Sequence, residues 1–455
     1  DDLINIWQYE FLRDSGELIY MPDRIGKIDD KLWLFGNIAI KEGKVYRADN
    51  DGIFWIDNKG YKPQSLELSA SGGIVEDAIP AIYDQKVDMQ EIAHNLRHCI
   101  GGYEAYIALG WAIATIFADD IFAEYKCFPI LFPHGKRESG KSTLMRWLMN
   151  VFGIETEGYG LADTTQNFIV RSLGYFSCLG VWFDEYRNEP KITQKDGYLR
   201  SAYNRQISGK GTKTAFQAKG FAVHGTMAIS GEELPRDNGL FTRCVPIQIS
   251  ANKRNRDYFD LINRTCHKFS GIAYELILNY DKYKEKILSS ILEMKQALIE
   301  CGISDRTAEN WAICAGAFDA VVLQDDDFVR WVEQTCQELR MTGEEEHMLN
   351  QFWSDVNVML ASGDLNKSYF AIEEDRLWVW FRGVLDNWKI YYKKKYNREP
   401  FDDVSIMNYL KDEPYYVGQK QKKIMKANRH CHILDIDSSP DMIKEIVECL
   451  NTVYE

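Results

Sequence analysis

One short segment, from Gly135 to Ser142, limits the fold of this chain more than any other part of its sequence. It matches the pattern G-x-x-x-x-G-K-[ST] at every fixed position. The apolar run Ile130-Leu131-Phe132 precedes it, and a helix is predicted to follow over 144–151. Glycines let such a loop curl so that its backbone N–H groups point at phosphate oxygens, and the helix N-terminus adds positive potential. The segment therefore predicts a phosphate-binding loop within a parallel α/β sheet.

The residue types of this loop indicate individual roles. Lys141 is expected to meet the β and γ phosphates of ATP, and Ser142 is expected to ligate Mg²⁺. ATP and Mg²⁺ are the expected cofactors. The predicted nucleotide-binding residues are Gly135, Lys136, Arg137, Glu138, Ser139, Gly140, Lys141, Ser142 and Thr143.

A second predicted strand, 178–183, ends in the consecutive carboxylates Asp184 and Glu185. This is typical of a Walker B element, in which Asp184 would hold Mg²⁺, largely through water, and Glu185 would act as general base on the attacking water. A nucleotide kinase has no need of a water-activating glutamate, so the pair favours hydrolysis. The alternative is an acidic strand end that faces solvent.

Two further residues complete the predicted catalytic set. Ser230 ends a third strand, 225–230, and is the candidate sensor of the γ-phosphate; the alternative is a serine that starts a turn. Arg243 precedes an apolar strand and is placed to reach the nucleotide of a neighbouring subunit, where it would stabilise charge on the transferring phosphoryl group. Arg236 is its rival, and each could instead be a surface arginine.

The charge of the chain is −14 overall, which excludes a protein that coats nucleic acid with its whole surface. The segment 187–220 differs, with eight basic and two acidic residues. Its centre, Ser208-Gly209-Lys210-Gly211-Thr212-Lys213-Thr214, favours a tight hairpin. We expect Lys210 and Lys213 to contact a DNA backbone, with affinity that falls steeply with salt. The alternative is a solvated basic loop.

Two other groups of residues have less decisive patterns. The run Lys393-Lys394-Lys395 lies among tyrosines, and further basic residues follow over 420–429, so the region could stack on bases or form a charged helix face. His430-Cys431-His432 resembles a metal cluster, but successive residues of a strand point to opposite faces, which disfavours a shared ion. None of the ten cysteines is spaced C-x-x-C, and this fits a reducing cytoplasm.

The fold class is expected to be α/β, a P-loop ATPase core with smaller flanking regions. Composition and periodicity suggest a β-rich region over 1–90, a helical collar over 91–125, the ATPase core over 126–255, a helical region over 256–345 and a small α+β, winged-helix-like module over 346–455. The most apolar stretch, 106–123, contains Gly110 and two aspartates and is interpreted as a core helix without a membrane role. The chain begins with Asp1 and is expected to be a fragment.

The four elements, in this order, resemble the AAA+ core of superfamily 3 helicases, the replicative helicases of viruses, phages and mobile elements. The segment 200–232 is also similar to the MCM-like helicases of bacterial mobile elements. The resemblance covers 126–255 well and the flanks weakly. Lys141, Ser142, Asp184, Glu185 and Arg243 carry over by motif position, whereas many members have Asn where this chain has Ser230.

What the resemblance implies is a ring, a homo-hexamer, with nucleotide at subunit interfaces and DNA in the pore. It implies 3′→5′ movement on single-stranded or forked DNA, and a bacterial or phage-infected cytoplasm. The N-terminal region could be a collar, a DNA-binding domain or the end of a primase-type polypeptide, which makes a primase or polymerase domain a possible partner.

Three other functions are compatible with the same nucleotide residues. An AAA+ ATPase that remodels a protein or acts in defence would not need Lys210 and Lys213. A non-hydrolytic DNA-binding or loading module would survive Glu185→Gln. A small-molecule kinase is the most distant alternative, because no acceptor-binding pattern is visible.

Overall fold

The computed structural model describes residues 3–4, 6, 18–64, 68–70, 73–75, 79–206, 208–211, 218–253, 255–345, 348–396 and 400–451. The chain divides into two compact units, Asp1–Cys336 and Gln337–Glu455. The division falls within the helix Asp326–Glu345, close to the predicted start of the C-terminal module at 346.

The N-terminal region is rich in short strands, as its alternating apolar runs predict. The strands are β1 (Ile19–Tyr20), β2 (Ile25–Lys27), β3 (Leu32–Leu34), β4 (Ile38–Lys41), β5 (Lys44–Arg47), β6 (Phe54–Ile56), β7 (Lys59–Tyr61), β8 (Leu68–Ala70) and β9 (Gly73–Val75). Strands β2 to β5 form an antiparallel meander around buried Trp33, Leu34 and Ile40.

The ATPase core contains a five-stranded parallel sheet, which confirms the predicted α/β class. The strands that follow β9 are β10 (Ile130–His134), β11 (Tyr159–Gly160), β12 (Phe176–Ser177), β13 (Gly180–Tyr186), β14 (Ser208–Gly211), β15 (Ala218–Phe221), β16 (Thr226–Gly231) and β17 (Cys244–Gln248). The sheet order is β11-β13-β16-β10-β17, and all pairings are parallel. Strand β10 is buried on both sides, as its run of Ile, Leu and Phe predicts.

The N-terminal sheet is continuous with the core through β12, which pairs in parallel with β2. Gly26 lies at this junction with φ +90°, and a Cβ there would lie 2.2 Å from the carbonyl oxygen of Ser177. The N-terminal region is therefore built onto the ATPase core within the first unit.

Helices surround the core and fill the region after it, as predicted. They are Met89–Ile100, Glu104–Ile116, Ala118–Tyr125, Lys141–Met149, Gln166–Tyr175, Pro190–Thr193, Asp196–Tyr203, Asn238–Phe241, Arg256–Thr265, Ser270–Leu278, Tyr280–Glu300, Asp305–Val321 and Asp326–Glu345. The helix Glu104–Ile116 is buried on all sides, which explains its apolar composition. Within the described residues, no single helix is long and apolar enough for a membrane span; the pair 104–116 and 118–125, bent by 90°, meets the length and composition criteria only together.

The second unit has the predicted α+β composition. Its helices are Met348–Ser362, Phe381–Tyr396, Asp403–Asp412 and Asp441–Asn451. Its strands are β18 (Phe370–Glu373), β19 (Arg376–Val379), β20 (Tyr416–Ile424) and β21 (Ala427–Asp435), which form an antiparallel sheet of order β18-β19-β21-β20. A core around Phe352, Trp353 and Trp388 joins this sheet to the helices.

Candidate nucleotide site

The three predicted site elements meet at one edge of the parallel sheet. Strand β16 lies between β10 and β13, with His134 opposite Gly231 and Phe183 opposite Ile229. Because parallel strands end at the same edge, the residues after β10 and the last residues of β13 and β16 come together there. The sequence predicted this meeting from motif order alone.

The phosphate-binding loop has the backbone conformation that its glycines permit. Gly135 has φ +152° and Gly140 has φ +105°. A Cβ at Gly135 would lie 2.3 Å from the carbonyl oxygen of Ile249, so no larger residue fits. The helix Lys141–Met149 begins directly after Gly140, which turns its free N–H groups toward the loop.

Lys141 lies inside this loop and is almost fully buried. Its Nζ donates hydrogen bonds to the carbonyl oxygens of Gly135 at 2.8 Å and Lys136 at 2.9 Å. Burial lowers the pKa of the Lys141 ammonium, while Glu232 and Asp184 act in the opposite direction. The ammonium is thus held among exchangeable backbone acceptors, at the position where phosphate oxygens would be bound.

Asp184 is the polar centre of the site. Ser142 donates to its Oδ2 at 3.3 Å, and Ser230 donates to its Oδ1 at 2.5 Å. The backbone N–H of Glu185 also donates to Oδ1, at 2.8 Å. A hydroxyl and a carboxylate side by side are hard oxygen ligands of the kind that Mg²⁺ prefers, so Ser142 and Asp184 fit the predicted metal role.

Glu185 is exposed and breaks the pleat of β13. Its φ is +60°, and the register with β16 shifts between Phe183 and Tyr186. Bulges of this kind re-aim a side chain at the end of a strand. The two consecutive carboxylates therefore adopt different environments, with Asp184 hydrogen-bonded in the site and Glu185 open to solvent.

Ser230 lies next to Asp184 but is completely buried. Its Oγ accepts a hydrogen bond from Trp182 Nε1 at 2.7 Å while its hydroxyl donates to Asp184. Both partners of the hydroxyl are thus protein groups. The geometry favours a positioning role for Ser230, and its role as sensor of the γ-phosphate stays a prediction.

A small pocket adjoins the phosphate-binding loop, and sequence reasoning did not find it. Its walls come from four separate segments of the chain. They are Cys99, Ile100, Ser139, Gly140, Thr143, Leu144, Trp147, Ile249, Ser250 and Phe259. Most of these side chains are apolar, as is usual where a flat ring binds beside polar groups.

Arg243 lies at the other edge of the sheet, because it precedes β17 and its carbonyl accepts from the N–H of Ile130. Its Nη1 donates to the carbonyl of Gly239 at 2.5 Å. Arg236 is exposed and lies 3.7 Å from Glu233 of the same chain. The structure therefore places Arg243 away from the nucleotide loop of its own subunit, as a residue acting on a neighbour requires.

The predicted hairpin is present between β13 and β16. Strands β14 and β15 pair antiparallel, with Lys210 opposite Lys219. Lys213 lies outside the described residues. The base of the hairpin is fixed by Arg205, which donates to Asp119 Oδ1 at 2.6 Å and to the carbonyl of His224 at 2.9 Å.

The remaining candidate groups have structural roles in the second unit. Lys395 Nζ lies 3.0 Å from Asp355 Oδ1, and Asp355 is fully buried. Burial acts against the charge of Lys395, but hydrogen bonds from Tyr396 and Asp355 raise the pKa of its ammonium overall. His430 is exposed whereas His432 is buried, and the described residues contain no group of three side chains suited to a metal.

Comparison with known proteins places the fold. No protein-family profile matches the sequence, and no curated protein sequence matches it. A solved structure of the SCCmec type IV Cch, an active helicase, aligns with a TM-score of 0.61 at 16% identity, over 98% of this chain and 83% of that one. The fold is similar to that of a helicase. This agrees with an AAA+ type core.

Two other solved structures match with lower scores. The C-terminal region of NrS-1 aligns at a TM-score of 0.37 and 11% identity, over 94% of this chain and 98% of that one. A JCV helicase bound to a small acetamide aligns at 0.23 and 14% identity, over 48% of this chain and 74% of that one. Scores this low carry no argument about the present fold.

Proposed function

We propose that this chain is an ATP-driven DNA helicase or translocase. The observation that carries the proposal is a basic hairpin inserted between the strands of Asp184 and Ser230, in an ATPase sheet whose fold is similar to that of an active helicase. Hydrolysis changes the strand that anchors one side of the hairpin, so chemistry and the DNA contact share one structural element.

The nucleotide chemistry follows from the residues at the sheet edge. Lys141 and the loop N–H groups bind the β and γ phosphates of ATP. Ser142 and Asp184 would hold Mg²⁺, which supplies positive charge to these phosphates when it is bound. The water oxygen bonds to the γ phosphorus as the bond to the β–γ bridging oxygen breaks, giving ADP and phosphate, and Glu185 accepts the water proton. The adenine ring occupies the pocket beside Trp147.

The DNA contact belongs to the hairpin. Lys210 and Lys213 bind the phosphate backbone of one strand as point charges. Asp119 and Arg205 fix the base of the hairpin, so that movement of β16 reaches its tip instead of being lost in a loose loop.

The assembly and setting complete the proposal. Arg243 needs a neighbouring subunit, which supports a ring, and the resemblance of the motifs favours a homo-hexamer on single-stranded or forked DNA. Replication of a phage or mobile element in a bacterial cytoplasm, with a primase or polymerase domain as partner, is the corresponding setting.

The test is the ATPase rate with and without single-stranded DNA. Wild type is compared with the double variant Lys210→Ala/Lys213→Ala, and Lys282→Ala/Lys286→Ala on the exposed face of another helix is the matched control. We expect DNA to stimulate wild type and the control, and to leave the hairpin variant at its basal rate. A rate that ignores DNA in all three proteins would overturn the proposal in favour of a protein-directed ATPase.

A further inference from the structure

Three arginines meet at the edge of the central sheet that faces away from the phosphate-binding loop. Arg243 precedes β17, Arg200 lies on the helix Asp196–Tyr203, and Arg306 lies on the helix Asp305–Val321. Strand β17 pairs in parallel with β10 over five residues, and only its far end, Gln248, reaches the strand end that leads into the loop. At about 3.3 Å per residue, the arginines lie about 16 Å from the loop of their own chain.

The contacts bring the three guanidinium groups around one short segment, 237–243. Arg243 Nη1 donates to the carbonyl of Gly239, and Arg306 Nη1 donates to Thr242 Oγ1 at 3.4 Å. A Cβ on Gly239 would lie 2.8 Å from Arg200 Nη1, so this glycine gives both arginines room. Arg200 Nη1 also lies 3.1 Å from Asp237 Oδ2.

The segment is held rigidly from below. Tyr203 Oη donates to Asn310 Oδ1 at 2.8 Å, and Asn310 Nδ2 donates to the carbonyl of Thr242 at 3.0 Å. The Arg243 guanidinium lies over the Tyr203 ring, 5.4 Å from its centroid. A buried, hydrogen-bonded platform of this kind fixes the arginine in one orientation before any ligand arrives.

The positive charge of this cluster is poorly balanced. Of the acidic side chains near it that the structure describes, Asp237 pairs with Arg200, whereas Asp305 and Glu309 pair with Lys295. Burial lowers the pKa of Arg243, and repulsion from Arg306 acts in the same direction.

Arg243 also has an unused donor. Its Nε is buried and has no hydrogen-bond acceptor among the residues that the structure describes. Converging arginines with an unpaired, recessed donor suit an anion that inserts a single terminal group, because planar guanidiniums bind phosphate oxygens in pairs.

We propose that Arg306 and Arg243 together form an anion site for the terminal phosphates of ATP bound to a second copy of this chain. Arg200, held by Asp237, is a positioning residue that keeps the cluster together. This inference rests on the proposed ATPase site and adds Arg306, which lies beyond the motif-bearing core. The partner surface is complementary, since the opposite edge carries Asp184, Glu185 and the phosphates themselves.

Mixing of inactive subunits tests the proposal without DNA. Arg306→Ala keeps its own nucleotide loop, and Lys141→Ala keeps its own arginine cluster. We expect Arg306→Ala to lower kcat by about 10-fold, as loss of a phosphate-contacting arginine does, with Arg306→Lys intermediate. Equimolar mixing with Lys141→Ala should recover activity above the sum of the two proteins, because some interfaces then pair an intact loop with an intact cluster.

Arg330→Ala is the matched control, because Arg330 is an exposed helix arginine that pairs with Asp327. ATP-dependent assembly, measured by mass photometry on a Glu185→Gln background, is a second readout that needs no turnover, and Arg306→Ala should weaken it. An unchanged kcat, a defect that mixing leaves in place, or a loss of DNA binding with an intact DNA-free ATPase would overturn the inference. Recovery on mixing in a protein whose ATPase ignores DNA would instead support it and reject the helicase proposal.

Discussion

The hydroxyl of Ser230 links two residues of the neighbouring strand: it accepts from the indole of Trp182 and donates to the carboxylate of Asp184. A serine at this position thus orients the candidate metal-binding carboxylate from the side. Since Ser142 reaches the other carboxylate oxygen, Asp184 is held in one rotamer from both directions.

Removal of that hydroxyl should affect both catalysis and stability. Ser230→Ala leaves Trp182 Nε1 buried without an acceptor, so the free energy of unfolding should fall by about 2 kcal/mol. It also frees the Asp184 carboxylate, and kcat should fall by about 10-fold with KM for ATP nearly unchanged. Ser230→Thr, which keeps the hydroxyl, should restore most of kcat.

Steady-state ATPase kinetics and urea denaturation measure these two effects. Ser172→Ala is the control, because the buried Ser172 hydroxyl donates only to carbonyls of its own helix. A Ser230→Ala protein with a large rise in KM would contradict the positioning role and favour direct contact with the nucleotide.

The pocket beside the loop should decide affinity for the nucleobase. Ile100 ends the helix Met89–Ile100 and forms part of the pocket wall. Ile100→Trp fills the space, so KM for ATP should rise by about 10-fold through lost ring burial. Leu292→Trp, on an exposed helix face, should leave KM unchanged. Equal KM values for both variants would show that the base binds elsewhere.

Asp119 should matter for the DNA response more than for basal hydrolysis. It accepts from Arg205 at the hairpin base and lies 3.5 Å from Lys27, which is buried. Burial opposes its charge, but Arg205 and Lys27 lower the pKa of Asp119 overall. Asp119→Asn leaves two cations facing each other, so we expect about 2 kcal/mol of destabilisation and a smaller DNA stimulation of the ATPase.

The control for this effect is Asp163→Asn, because Asp163 is exposed and its ion pair with Lys191 is on the surface. ATPase assays with and without DNA, on protein shown to be folded at the assay temperature, separate the two contributions. If Asp119→Asn is stimulated by DNA as strongly as wild type, the clamp has no part in transmission.

The stability of the core should depend on pH through Asp196. This residue is buried and accepts from Tyr186 Oη at 3.2 Å, and burial raises the pKa of Asp196 to about 6. Because the folded state holds this proton more tightly than the unfolded state, stability is greatest at low pH and falls as pH rises through about 6. Asp196→Asn removes the loss, so its free energy of unfolding relative to wild type should increase by about 1 kcal/mol between pH 5 and pH 8.

Urea denaturation at the two pH values, followed by tryptophan fluorescence, gives this difference. Asp281→Asn serves as the control, because Asp281 is highly exposed and should show no such trend. A difference between Asp196→Asn and wild type that does not change with pH would show that Asp196 is ionised normally in the folded protein.

The nucleotide loop was predictable from the sequence because its residues are contiguous. The spacing from Gly135 to Ser142 defines a backbone path almost completely, and the strand and helix beside it follow from local composition. The edge positions of Asp184 and Ser230 followed from their places at strand ends. The hairpin was predictable from the glycines around Lys210.

Other features depend on contacts between distant segments. The pocket combines Cys99, Trp147 and Phe259, and Arg306 approaches Arg243 only because a helix after the core folds back onto it. The bulge at Glu185 and the buried state of Ser230 arise from register in the sheet, which local composition does not encode.

The central claim is that ATP hydrolysis at Glu185 drives the separation of DNA strands. The most direct measurement is displacement of a labelled strand from a forked duplex by wild type, by Glu185→Gln and by the exposed control Glu189→Gln. We predict ATP-dependent displacement by wild type and the control, and none by Glu185→Gln although it binds both ATP and DNA. Displacement by Glu185→Gln at the wild-type rate, or a wild type that hydrolyses ATP on the fork without separating it, would contradict the account.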